Sequence, residues 1–201
     1  MENRVLHMEG ITTRDNDTDD PTIEGYFAVF DSVYPVWEGV TESIAPGAFT
    51  ESISGDVRAL YNHNTDLILG RTSAGTLELK QDSHGLWGQV KINRKDSSAM
   101  DAYERIKRGD ITGCSFGFDI EEERQTIKED GSVHFTIEKV NPLYEVSPCV
   151  FPAYEATRIS ARGQQASEIH ERRMDAWRVT AMKRLKGETN GTESVDASEK
   201  D

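Results

Sequence analysis

The stretch that most limits what this chain can fold into is Gly113-Cys114-Ser115-Phe116-Gly117-Phe118-Asp119-Ile120. Read at a period of two, Cys114, Phe116, Phe118 and Ile120 share one face, and Ser115, Gly117 and Asp119 share the other. A strand is therefore expected at about 111–120, with a hydroxyl opposite a core-facing row and beside a residue that has no side chain to block approach. A half-buried strand with a surface serine explains this pattern as well as a reactive serine does. The decision rests on what the rest of the chain supplies.

Most of the chain is written in the same extended code. Glu24–Asp31 is rich in aromatic and β-branched residues, and Tyr34–Val40 continues extended, with Pro35 pointing to an edge or a bulge. Pro46-Gly47-Ala48-Phe49 opens an expected short helix to about Ile53. Asp56–Asn64 is strand-like and ends in a histidine between two asparagines. Residues 75–82 and 85–93 form an expected hairpin turning at Ser83-His84-Gly85. The clearest helix follows, with Ser98 as N-cap, Asp101 three residues on, Ala102, Tyr103 and Ile106 on its apolar face, and Gly109 as its stop. Asp130-Gly131 marks the tip of a charged hairpin over 122–139, and Leu143–Phe151 is the last strand. The sum is an α+β fold, mainly an antiparallel β-barrel with a few flanking helices.

The organisation expected along the chain is a polar N-terminal segment over 1–23, a folded domain over 24–162, a basic helical tail over 163–187 and a disordered acidic end over 188–201. The tail holds six Lys/Arg against three acids over residues 165–187. A net charge of −13 argues against nucleic acid as a partner, because phosphate contacts need a basic surface. No apolar run is long enough to cross a membrane, and Met1-Glu2-Asn3-Arg4 lacks a signal-peptide pattern. The two cysteines, Cys114 and Cys149, lie in apolar runs and suit reduced, buried thiols. No Cys/His cluster offers a metal site, and no cofactor is expected.

Gly113-x-Ser115-x-Gly117 matches the five-residue nucleophile-elbow pattern. An elbow needs a helix directly after the serine, and Ile120 is followed instead by Glu-Glu-Glu-Arg and a hairpin. The elbow match is therefore one of form only, and a small serine esterase built on it stands as a third, weaker reading. A serine also needs a base, and the base works best when a third group orients it. Of five histidines, His7 lies near the terminus, His84 in a turn, His134 in the charged hairpin and His170 in the tail. His63, late on an apolar strand and on the face of Ala59 and Tyr61, fits equally a base and a partly buried structural histidine. Glu145 is the acid inside Leu143–Phe151, where burial demands a partner: a base such as His63, or an arginine such as Arg71. Asp119, on the Ser115 face, and Asp66 are the alternatives.

Several segments together resemble the prohead (procapsid) maturation serine proteases of tailed bacteriophages, which are distantly similar to the herpesvirus assemblin proteases. They are Glu24-Gly-Tyr-Phe-Ala-Val-Phe, Ile44-Ala-Pro-Gly-Ala-Phe49, Ala59-Leu-Tyr-Asn-His63-Asn, Leu69-Gly-Arg-Thr72, Gly88-Gln-Val-Lys91, Gly113–Phe118, and Tyr144-Glu145-Val-Ser147 with Pro152-Ala-Tyr154. The resemblance spans about residues 22–160, and its weight lies in the order of the pieces. It implies a herpesvirus-protease-like barrel and a serine endopeptidase with Ser115 as nucleophile and His63 as base. Glu145 falls on the late strand where the herpesvirus relatives use a second histidine, so its role as third member stays open against Asp119. The implied partners are the scaffold segment of a major capsid protein or a separate scaffolding protein, with a possible homo-oligomer. The implied setting is the assembling prohead in the host cytoplasm, with self-cleavage. A protease-like module retained for assembly without catalysis is the competing class.

Overall fold

The computed structural model describes residues 2–6, 11–14, 21–37 and 39–150. The expected basic tail over 163–187, the acidic end over 188–201 and the acidic run at 15–20 lie outside the described residues. Along the chain come β1 (Glu2–Leu6), β2 (Thr12–Arg14), β3 (Thr22–Val29), β4 (Tyr34–Trp37), β5 (Val40–Ile44), β6 (Arg58–Tyr61) and β7 (Asn64–Arg71). They are followed by β8 (Leu77–Gln81), β9 (Gly85–Lys91), helix α1 (Ser97–Arg108), β10 (Gly113–Ile127) and β11 (Val133–Cys149).

These strands make two sheets. One runs β1-β10-β11-β5-β4, with β6 also paired to β11 and β7 to β6; the other runs β2-β3-β9-β8. Pairing is mainly antiparallel, with β11 parallel to β5 and to β6. The expected closed barrel is thus corrected to two open sheets among the described residues. Among the described residues the helices are α1 and two short 3-10 turns, at Ser52–Ser54 and Thr72–Ala74. The helix anticipated over 46–53 resolves into a series of turns ending in the first of these 3-10 turns. The polar N-terminal segment, whose composition gave no strand signal, contributes β1 and β2. β1 forms the outer neighbour of β10, with Val5 opposite Ser115.

Helix α1 shows how local chemistry sets its limits. Asp96, rather than Ser98, is the N-cap: its carboxylate accepts the Ser98 and Ala99 backbone N–H groups at 2.9 and 3.1 Å. Ala99, Ala102, Tyr103 and Ile106 are its buried face, at the spacing of one helical stripe, and it packs against β2 and β7. Gly109 ends it in the left-handed region at φ 86°, a conformation that costs glycine little.

The core lies between the sheets and includes the apolar row of β10. Phe116 and Phe118 stack with ring centroids 4.8 Å apart, and Phe49 meets Phe116 edge-on at 5.5 Å. Both β10 rings are fully buried, each contributing about 2–3 kcal/mol of transfer free energy. The second sheet is equally tight. A Cβ at Gly88 would sit 2.7 Å from the Phe27 ring, so the glycine leaves room for that ring to approach β9 closely. The β10–β11 ladder runs from the tip at Asp130-Gly131, as expected, to Gly113 opposite Cys149. Its far end is the floor of the site.

Candidate active site

Residues 113–117 of β10 lie opposite 145–149 of β11, with Ser115 facing Ser147, Gly117 facing Glu145 and Gly113 facing Cys149. Directly paired residues share a face, so Ser115, Glu145, Ser147 and Cys149 all project from one side of the ladder. The expectation of an open face for Ser115 is corrected here. Ser115 is fully buried, as are its core-side neighbours Cys114 and Phe116. The strand is covered on both sides.

His63 arrives on this face from a turn and not, as expected, from the end of a strand. β6 and β7 pair with Tyr61 opposite Asn64, leaving Asn62 and His63 as a two-residue loop. Both have positive φ, 54° and 58°, as the loop of a type I′ hairpin requires. A histidine in that region costs on the order of 1–2 kcal/mol, so the surroundings must hold it there. Four hydrogen bonds to the end of β11 do so. The Asn62 N–H donates to the Pro148 carbonyl at 3.0 Å, and the Val150 N–H donates to Asn62 Oδ1 at 2.8 Å. The His63 N–H donates to Ser147 Oγ at 3.3 Å, and His63 Nδ1 bonds Glu145 Oε1 at 2.7 Å.

Glu145 is 1% exposed, so its carboxylate depends on these partners. Besides His63 Nδ1, it accepts the Ser147 hydroxyl at Oε2. A carboxylate oxygen accepts, so the ring proton facing Glu145 sits on Nδ1 and Nε2 is the nitrogen turned toward the rest of the site. At Nε2 stands Cys149 Sγ, 3.8 Å away, and the Ser115 hydroxyl hydrogen-bonds that same thiol. Burial pushes the Cys149 thiol up to about 12, the Glu145 charge adds to the shift, and the Ser115 hydrogen bond opposes it. Burial raises Cys114 far above the usual thiol value as well. Burial favours the neutral form of both thiols, and a serine hydroxyl is likewise neutral until a base takes its proton.

The rival assignments go elsewhere. Asp119 accepts the Tyr144 hydroxyl at 2.7 Å, and Asp66 lies exposed near the start of β7, its N–H bonded to Asn64 Oδ1. Arg71, the alternative partner for Glu145, pairs with Asp56 instead, its Nε 2.7 Å from Oδ1, and holds that carboxyl well below the usual range. His134 lies at the other end of β11 between the hydroxyls of Thr41 and Ser43, at 2.8 and 2.9 Å. His84 packs edge-on against the Tyr26 ring. His63 and Glu145 are therefore in direct contact, and Ser115 joins them across Cys149.

The family model of the caudovirus prohead serine proteases matches residues 9–172, more than half of the sequence. The chain belongs to that family. Among its relatives, the prohead protease of Enterobacteria phage HK97 is 29% identical over 142 residues, covering 69% of this chain and 58% of the relative. The chain thus spans less than two thirds of that relative's length. A solved structure of the bacteriophage T4 capsid assembly protease aligns over 76% of this chain and all of its own, at 12% identity and a TM-score of 0.38, too slight to carry an argument.

In this prohead protease-family chain, three residues of the cluster had no role assigned from sequence. Ser147 and Cys149 follow Glu145 at strand period, and that alternation was the available signal. Asn62 was readable as a turn former, since the pair Asn62-His63 falls between two strand-like runs.

Proposed function

We propose that this chain is a serine endopeptidase of capsid maturation that cuts a scaffold or capsid precursor inside the assembling prohead. The observation that carries the reading is the 2.7 Å contact between His63 Nδ1 and the buried Glu145 carboxylate, on the strand face that also bears Ser115, in a member of this family.

Once the Cys149 side chain that stands between them turns aside, Ser115 Oγ attacks the scissile carbonyl while His63 Nε2 takes its proton. The same imidazolium then protonates the leaving amine, and an acyl-enzyme remains on Ser115. Water, deprotonated by His63, cleaves that ester and restores the hydroxyl. Glu145 stabilises the imidazolium that forms in both steps and keeps the ring in one tautomer. Backbone N–H donors supply about 3 kcal/mol each to the oxyanion. The partner under this reading is the scaffolding segment of a major capsid protein or a separate scaffold, in the host cytoplasm, and the tail over 163–201 is a substrate for self-cleavage. The test is incubation with a scaffold-fused capsid precursor. Wild type cuts it; Ser115→Ala leaves it whole. Full cleavage by Ser115→Ala defeats the assignment.

One observation favours a second reading, an assembly module that does not cut: Ser115 is fully buried. Under it neither wild type nor Ser115→Ala cuts the precursor, and both support assembly equally.

A further inference from the structure

We infer that Ser147 is a fourth functional member of the site, a positioning residue that locks the backbone of His63 to the carboxylate that orients its ring. The inference deepens the endopeptidase reading and rests on it for the reaction served.

The bonding of Ser147 is dictated by what each partner can do. A hydroxyl has one proton to give and lone pairs to receive with. The His63 N–H can only donate, so Ser147 Oγ accepts it, at 3.3 Å. The Glu145 carboxylate can only accept, so the single Ser147 proton goes to Oε2. Glu145 Oε1 in turn takes the proton on His63 Nδ1 at 2.7 Å. These three bonds close a ring: His63 backbone to Ser147, Ser147 to Glu145, Glu145 to the His63 imidazole. Ser147 and Glu145 are two residues apart on one strand face, so the strand fixes their separation.

The ring answers two needs that a His–Glu contact alone leaves unmet. The first is at His63, whose φ of 58° lies in the left-handed region and which needs its N–H held to stay there. The second is at Glu145, which is almost wholly buried and would otherwise have one oxygen fixed only by Coulomb attraction. Ser147 is itself fully buried, so water does not substitute for it without a rearrangement. Its opposite neighbour across the ladder is Ser115, so a shift of the Ser147 backbone is also a shift of the nucleophile's pairing partner. Misplacing a base by an ångström is enough to cost on the order of 100-fold in rate.

The test uses the full chain with Ser147→Ala, Ser147→Cys and Ser147→Thr, each checked for folding by thermal unfolding. Two readouts are taken: kcat and KM on the scaffold-fused precursor, and the proton NMR resonance of the carboxylate-bound His63 Nδ1–H, downfield of the amide region and assigned by its loss in His63→Ala. Ser147→Ala is expected to lower kcat on the order of 10- to 100-fold with KM within about twofold, and to broaden or move that resonance upfield. Ser147→Thr, which keeps the hydroxyl, is expected to restore both. Should Ser147→Ala not fold, Ser147→Cys, of similar shape with a weak donor, must show the same change in the resonance. An unchanged resonance and kcat in a folded Ala or Cys variant overturns the inference, as does a folded Thr variant that behaves like Ala. If wild type cuts no precursor, the endopeptidase reading fails on its own, and the resonance alone decides whether Ser147 positions the imidazole.

Discussion

Two histidines meet strand β11, one at each end, and their partners set them apart. His134, near the start of β11, has both ring nitrogens bonded to hydroxyls, Thr41 Oγ1 and Ser43 Oγ. His63, docked against the end of β11, has a buried carboxylate on Nδ1 and a thiol on Nε2 that also holds a serine. Hydroxyls can bond either form of an imidazole but carry no charge to stabilise the imidazolium. Burial accordingly pushes His134 below the usual histidine value, aided by Lys128 and Arg124, against the opposing charge of Glu42. A carboxylate favours the imidazolium, which is the species a general base becomes during turnover. Burial and hydrogen bonding alone mark a structural histidine as readily as a catalytic one; the charge of the partner separates them.

The comparison breaks first at the histidines themselves. His63→Ala is expected to lower cleavage of the scaffold-fused precursor by at least about 10³-fold, because base and orienting contact go together. His134→Ala should leave the rate within about threefold. Equal losses in the two variants would mean that the difference in partners carries no functional weight. Next comes Glu145→Gln, which keeps the shape and removes the charge. A kcat loss on the order of 10³-fold at nearly constant KM is expected, read from Michaelis profiles.

The effects at His134 are smaller and fall on stability. His134→Ala leaves two part-buried hydroxyls without their ring partner and should cost about 1–2 kcal/mol in denaturant unfolding. Its pH dependence has a definite sign. The folded state holds the His134 proton less tightly than the unfolded state does, so its contribution is complete above about pH 6.5 and is lost as pH falls below that. Unfolding midpoints of wild type and His134→Gln between pH 7 and 5 should therefore converge on acidification. A gap that widens at low pH would reverse the sign.

Much of this was legible in the sequence, and the gaps have physical causes. Alternation revealed the β10 core row of Cys114, Phe116 and Phe118, and the lone acid in Leu143–Phe151 pointed to Glu145 as a buried carboxylate in need of a partner. Pro35 marked an edge strand with a register shift beside it, as found in β4. Parity failed at His63, because period two holds only while the chain stays extended, and the positive φ at Asn62 and His63 turns it through a hairpin. β7 was not anticipated: Asn64 reads as the end of the preceding strand, and the exposed Thr65 and Asp66 carry no alternation of buried and exposed positions. β1 and β2 also went unseen: backbone pairing to a neighbour leaves little mark in composition. Sheet closure is likewise set by long-range pairing, and the two open sheets replace the expected barrel without disturbing the face that carries the site.

The pairing of Ser115 with His63 and Glu145 is tested most directly by labelling with a fluorophosphonate, which reacts with an activated serine, followed by peptide mapping of the modified residue. The wild-type protein should carry the label on Ser115, and His63→Ala should lose it while remaining folded. A label that maps to another residue, or that stays on Ser115 at an undiminished rate in His63→Ala, would contradict the account.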